Sequence, residues 1–308
     1  MSVQTTAVPK FKPDVSRPNR FRTREAAIGL LFILPSLIGF TLFYAIPAVR
    51  GLLISFTNWD LLTPARSVGL ENYARLLKDP TFWNSLKVTV YYVLLNIPLQ
   101  TLLATLIAVM MSRLTKSIII RAIIILPWLM PGVVVGLLWL WLMDPTIGII
   151  NETLRALGLG TVPFLTIPKT AMPSIALINI WQWVGYTALL LFAGLQAIPG
   201  SVYEAASIDG ASEGQMFWKV TVPLLRPVLV FVLVTSIIGS FQVFDSILIT
   251  TRGGPVNATK VLNIYIYEQA FSRFNMGYAT AISMVLFLIL IIISMMQMRL
   301  MRAGESDM

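Results

Sequence analysis

The chain contains no cysteine and no histidine. Disulfides, thiol chemistry and zinc sites built on Cys or His are therefore excluded. Charge is scarce as well: Asp, Glu, Lys and Arg make up 12% of the 308 residues, hydrophobic residues make up 56%, and mean hydropathy is +0.79. A soluble domain of this size carries about twice that share of charge. The few acids form no carboxylate constellation of the kind a membrane-face enzyme needs; Asp209 and Glu213 can share a helical face, but no further acid joins them. A phosphate-cradling G-x-x-x-x-G-K-[ST] loop is also missing, so any ATP would be hydrolysed on another chain. We expect no catalytic residue and no metal site here.

What the chain has in abundance is oily runs long enough to cross hydrocarbon as helices, about 20 residues each. Six are read, at 27–49, 85–110, 118–142, 171–194, 227–250 and 277–298. The expected architecture is an all-α polytopic membrane protein: a basic tail over 1–25 and a six-span domain over 26–308. The N-terminus lacks the short apolar core and cleavage site of a removable signal, so its first run is expected to stay as an anchor. Prolines at 35, 47, 98, 127, 131 and 173 lie in or beside spans, where each can kink its helix.

The net charge of +9 invites a nucleic-acid reading, but its distribution argues otherwise. Lys10, Lys12, Arg17, Arg20, Arg22 and Arg24 sit in the tail, Arg113, Lys116 and Arg121 in a short connection, and Arg299 and Arg302 after the last run. With six spans all of these fall on one side, which the positive-inside rule names the cytoplasm. Both termini are then cytoplasmic, and the partner is lipid rather than nucleic acid. Three connections fall outside: 50–84 with a short amphipathic helix around Glu71–Leu77, 143–170 with another closed by glycines, and 251–276 beginning with TRGGP.

The fourth connection, about 201–226, holds YEAASIDGASEGQMFWKVTVPLL. Ser201 with Glu204 spells a capping box after Pro199-Gly200, Gly210 supplies a turn, and Ser212 with Gln215 spells a second box before Pro223 ends the segment. Ala205 and Ala206 let another surface approach the backbone, and Glu204 and Asp209 offer fixed charges. A docking element and an amphipathic connector lying on the membrane both fit these residues.

The stretch closely resembles the EAA signature of permease subunits in bacterial ATP-binding-cassette importers. Glu204-Ala205-Ala206, Asp209-Gly210-Ala211 and Val222-Pro223-Leu224 carry the resemblance, at matching spacing and between two spans. ENYARLLKDPTFWNSLKVTV, ILPWLMPGVVVGLLWLWL, LQAIP and TRGGP are similar to the carbohydrate-importing, maltose-permease-like branch, over nearly the whole chain beyond the tail. The resemblance implies a type I permease fold and an EAA helix that couples to a separate ATPase dimer, on which ATP and Mg would be held. It implies a second permease subunit, a heterodimer in many members, and an extracytoplasmic solute-binding protein. Glu204, Ala205, Ala206, Asp209, Gly210, Ala211 and Pro223 become the expected ATPase-coupling residues. Neither the extra N-terminal spans nor the large outer domain of some relatives is expected here.

Polar groups inside spans mark a candidate solute pathway. Asn179, Gln182 and Tyr186 share one face of the fourth span, Trp183 borders it, and Trp181 points elsewhere. Amides beside aromatic rings suit a sugar, although helix–helix bonds and an interface belt use the same residues. The resemblance implies solute contacts at positions aligned with Asn179 and Tyr186. In the fifth span Gln242 and Asp245 share a face beside Phe241. Asp245 lies about 10 Å along the helix from Arg252, so a salt bridge to it or to a partner permease competes with solute contact. The function expected is therefore sugar or polyol import by alternating access. The alternative, an ion-coupled secondary carrier, would want more ionisable groups at mid-membrane than Asp245 alone.

Overall fold

The computed structural model describes residues 19–114 and 117–302. Lys10, Lys12 and Arg17 of the expected tail, and Lys116, lie outside the described residues. Among these residues the chain is helical, with no strand beyond one bridge between Thr57 and Ser67. Five helices are long and apolar enough to cross a membrane: Ile28–Ile54, Pro80–Arg113, Pro168–Gln196, Glu213–Thr250 and Met276–Arg299. A bent pair, Ile118–Leu129 with Gly132–Leu142, makes a sixth when counted as one span.

The described residues up to Leu53 and those from Ile54 onward form two separate compact units. In the first, a helix begins at Asn19, inside the stretch expected to be tail, and runs to Phe40. A π-helical segment, Thr41–Ala45, follows, in which the Ile46 N–H reaches back to the Thr41 carbonyl, and α-helix resumes at Ile46–Ile54. The same device recurs in the second unit at Phe217–Thr221, with the Val222 N–H on the Phe217 carbonyl. In both places a proline, Pro47 or Pro223, stands two residues after the π segment. Proline cannot donate to the carbonyl four residues back and clashes with it. A one-residue widening of the helix lets the chain pass the proline without breaking. Pro223 therefore does not end the segment, as the sequence suggested; Glu213 to Phe241 is continuous helix.

The expected third span is broken by 94°. Pro127 opens a 3₁₀ turn, Leu126–Leu129, and Pro131 forces Met130 out of the α region to ψ 135°. The fifth span breaks as well, between Phe241 and Asp245, where Phe244 leaves helical geometry at φ −146°, ψ −63°. These two breaks face each other. Gly132, at the start of one resumed helix, lies so near Asp245 that an added Cβ would sit 2.9 Å from its Oδ2.

The fourth-span helix, Pro168–Gln196, forms the axis of the second unit and buries fifteen residues along its length. Gly185 permits its closest approach to a neighbour: a Cβ there would lie 2.0 Å from the Ile124 carbonyl oxygen. The connections behave as their patterns suggest, with short helices at Glu71–Lys78 and Ile149–Ala156. Asp79 caps the second-span helix through the amides of Thr81 and Phe82 and also accepts hydroxyl hydrogen bonds from Tyr265 (2.5 Å) and Tyr278 (2.6 Å). Burial pushes its carboxyl up, but the two tyrosine hydroxyls and the amides outweigh that and hold it below its ordinary value. Burial, then the neighbouring Asp79 carboxylate, pushes Tyr265 up to about 12.

Candidate functional site

A cavity of about 500 Å³ opens between the second, fourth and fifth spans and the broken third pair. That volume lies within the range of small-molecule sites, about 300–1,000 Å³. The structure brings six of the seven expected pathway residues to its wall: Asn179, Gln182, Trp183, Tyr186, Gln242 and Asp245. Phe241 is the exception. It is buried in the hydrophobic core at 4% exposure and does not line the cavity.

Four of these six side chains have a definable holder. The Asn179 side-chain amide donates to the Ile175 carbonyl at 3.0 Å and to the Ser246 hydroxyl at 2.9 Å, pinning the fourth span to the resumed half of the fifth. Gln182 donates to the Met130 carbonyl at 3.1 Å, an acceptor freed by the break in the third span. Its amide thus supports the break as well as facing the cavity. Tyr186 stacks on Trp128, with ring centroids 4.6 Å apart and planes 14° apart, and meets Trp183 edge-on. An indole–phenol platform of this kind offers an apolar ring face to a solute.

Sequence reasoning missed a second polar row. Asn96 and Gln100 on the second span bond each other at 3.1 Å, and reach Ser240 at 3.0 Å and Thr187 at 2.9 Å respectively. All four residues line the cavity and are buried. Two amides one helical turn apart inside an oily run were the available signal, overshadowed by Pro98 between them. Asp245, exposed to the cavity, forms no ion pair with Arg252 among the described residues. The described residues bring together no group of three or more acids able to hold a metal ion.

The EAA stretch lies where the fourth span ends and the fifth begins. Its first helix, Gly200–Ile208, starts after Pro199 with no side-chain cap, so the box expected from Ser201 and Glu204 does not form. Pro199 holds the cap position and Gly200 already sits inside the helix, which leaves Ser201 two residues too late to cap. The second box is present: Ser212 accepts from the Gln215 amide and Gln215 from that of Ser212. Between the two, Gly210 takes φ +77°. Its N–H bonds the Ser207 carbonyl and the Ala211 N–H bonds that of Ala206, the paired closure of a Schellman cap. Asp209-Gly210-Ala211 is thus a helix terminator whose glycine supplies the left-handed residue.

Glu204 and Ser207 face a second cleft of about 400 Å³, shared with Arg113, Glu213 and Phe217. Arg113 at the end of the second span pairs with Glu213. Ala205, Asp209, Gly210 and Pro223 are exposed, while Ala206 and Ala211 are partly covered. Ile208 is 87% and Trp218 69% exposed.

Residues 100–302 match the model of the family described as binding-protein-dependent transport system inner membrane component. The chain is 35% identical to a probable ABC transporter permease protein, YurN, of Bacillus subtilis, over 91% of its own length and 98% of the relative's. It is 35% identical to the trehalose/maltose transport system permease protein MalF of Thermococcus litoralis, over 90% and 95%. Its fold is similar to that of a chain in the crystal structure of a bacterial ABC transporter involved in import of the acidic polysaccharide alginate, with TM-score 0.81, 24% identity, and coverage of 92% and 99%.

Proposed function

This chain belongs to the family of binding-protein-dependent inner membrane components, the permeases of ABC transporters, and from that premise we propose that it passes a sugar or related polyol through the cavity by alternating access. The observation that carries the sugar assignment is the composition of the wall. Amides at 96, 100, 179, 182 and 242 line the cavity beside the Trp128–Tyr186 stack, a polar row for hydroxyls next to a ring face, with Gln242 the most exposed of the five. Similarity to a trehalose/maltose permease supports the same solute class.

The mechanical route follows the chain. The fourth span lines the cavity with its middle and ends at Gln196, a short turn before the EAA helix at Gly200; the fifth runs as unbroken helix from the second EAA helix and reaches the cavity at Gln242–Ser246. A displacement of the segment 201–226 is therefore delivered by two stiff helices to opposite parts of one wall. In this reading Glu204, Ala205, Ala206, Asp209, Gly210, Ala211 and Pro223 form the contact with a dimeric ATPase, which holds ATP and Mg. A second permease subunit completes the pathway, and an extracytoplasmic binding protein delivers the solute. Both termini and the EAA segment lie in the cytoplasm, and the chain itself catalyses no reaction. Ion coupling is not required, since the family draws on a binding protein and a motor.

Purification of the intact complex, followed by a thermal-shift screen of sugars against its binding protein, tests this. An ATPase subunit should co-purify and at least one sugar should raise the melting temperature. A permease that purifies active without any nucleotide-hydrolysing companion would contradict it.

A further inference from the structure

We propose that Asp245 sets the charge of the solute: the cavity accepts uncharged and amino sugars and refuses anionic ones such as uronates. The proposal rests on the sugar reading above and adds a selection by charge. Among the described residues Asp245 is the sole charged side chain on the cavity wall, with no lysine or arginine to balance it. Its carboxylate is exposed to the cavity and takes part in no ion pair among the described residues. An acid inside a span without a counter-charge is expensive and needs a use.

The position is also built. Asp245 opens the resumed half of the fifth span, where the backbone turns at Phe244, and its neighbour Ser246 is held by Asn179. Gly132 leaves the room it occupies, because a Cβ there would press against Oδ2 and Cβ of Asp245 at 2.9 and 3.1 Å. A fixed carboxylate accepts strong hydrogen bonds from sugar hydroxyls. A second anion a few ångströms away, between walls of low dielectric, meets a like charge that no cation on this wall offsets. On this subunit's side of the pathway, solute charge is therefore decided by these side chains and not by the fold.

The test uses the complete importer complex in lipid nanodiscs, without its binding protein, titrated with glucose, glucosamine and glucuronate, which share a ring and differ in charge. Saturation-transfer NMR reads the affinities. In the wild type glucuronate should bind at least about tenfold more weakly than glucose, and glucosamine no more weakly than glucose. Asp245→Asn should bring glucuronate to within about threefold of glucose, while Asp245→Glu, which keeps the charge, should retain the refusal. Equal binding of glucose and glucuronate to the wild type, or a ratio unmoved by Asp245→Asn, would overturn the charge selection alone. Failure of all three to bind would instead remove the sugar reading, and this proposal with it.

Discussion

At the end of the spans where residues 55–79 meet residues 251–278, polar side chains are buried and shared between distant segments; at the end carrying residues 197–222 most of them lie open. Asn72 donates to the carbonyls of Ser55 and Thr57, Thr89 accepts from the Leu262 amide, and Asp79 gathers two tyrosines 186 and 199 residues away. The open end has the Arg113–Glu213 pair, with side chains 45% and 69% exposed, and a hydroxyl contact between Tyr203 and Thr221. Exposed ion pairs contribute about 0–1 kcal/mol, whereas hydrogen bonds to a charged group contribute about 1.5–3. One end is closed on itself. The other offers small residues, exposed charges and the exposed Ile208 and Trp218, a surface that makes sense when something covers it.

The largest effect that would sharpen this contrast is expected at the open end. Gly210→Pro demands φ near −65° where the chain has +77°, so the Schellman closure is lost. Uptake should fall to background with normal membrane insertion, and Glu204→Ala should do the same. Wild-type uptake and ATPase coupling in either variant would remove the segment's role. Between the two ends, Asn179→Ala combined with Gln242→Ala should lower uptake by about tenfold or more through lost solute bonds. Uptake unaffected by the pair would argue against this wall as the pathway.

At the closed end the effect should be on stability. Tyr265→Phe removes one charge-assisted bond from Asp79 and should cost about 1.5–3 kcal/mol in thermal unfolding, with transport intact at permissive temperature. Because the folded carboxyl lies below its ordinary value of 3.8, its contribution is fully present above that pH and is lost as pH falls through the depressed folded value. The gap between wild type and variant should therefore close only below about pH 4; a gap that closes nearer neutrality would point to another group. The smallest effect belongs to Arg113→Ala, which should change stability by no more than about 1 kcal/mol. A larger loss would mean that the open end is more tightly held than its exposure implies.

Much of this was legible in the residues. Hydropathy located every span, because the length needed to cross hydrocarbon leaves an unmistakable run, and the EAA pattern marked the open end. Continuity was not legible. Pro127 and Pro131 read as kinks in one helix, yet two prolines four apart broke it by 94°, and the break at Gln242–Phe244 contains neither proline nor glycine to announce it. Pro223 misled in the opposite direction, since a π segment absorbed it. The polar anchors of the closed end join residues far apart in the chain, and no local pattern carries such pairings. Asn96 and Gln100 could have been read from their spacing alone.

Whether the segment 201–226 meets a motor subunit in the cytoplasm is directly measurable, because the chain has no cysteine. Ile208→Cys, with a single cysteine placed in the ATPase cleft of the purified importer, can be treated with a thiol cross-linker with and without ATP. A permease–ATPase product whose yield changes with nucleotide is expected, from a cysteine unreactive to impermeant maleimide in intact cells. Labelling of that cysteine from outside the cell, with no cross-linked product, would contradict it.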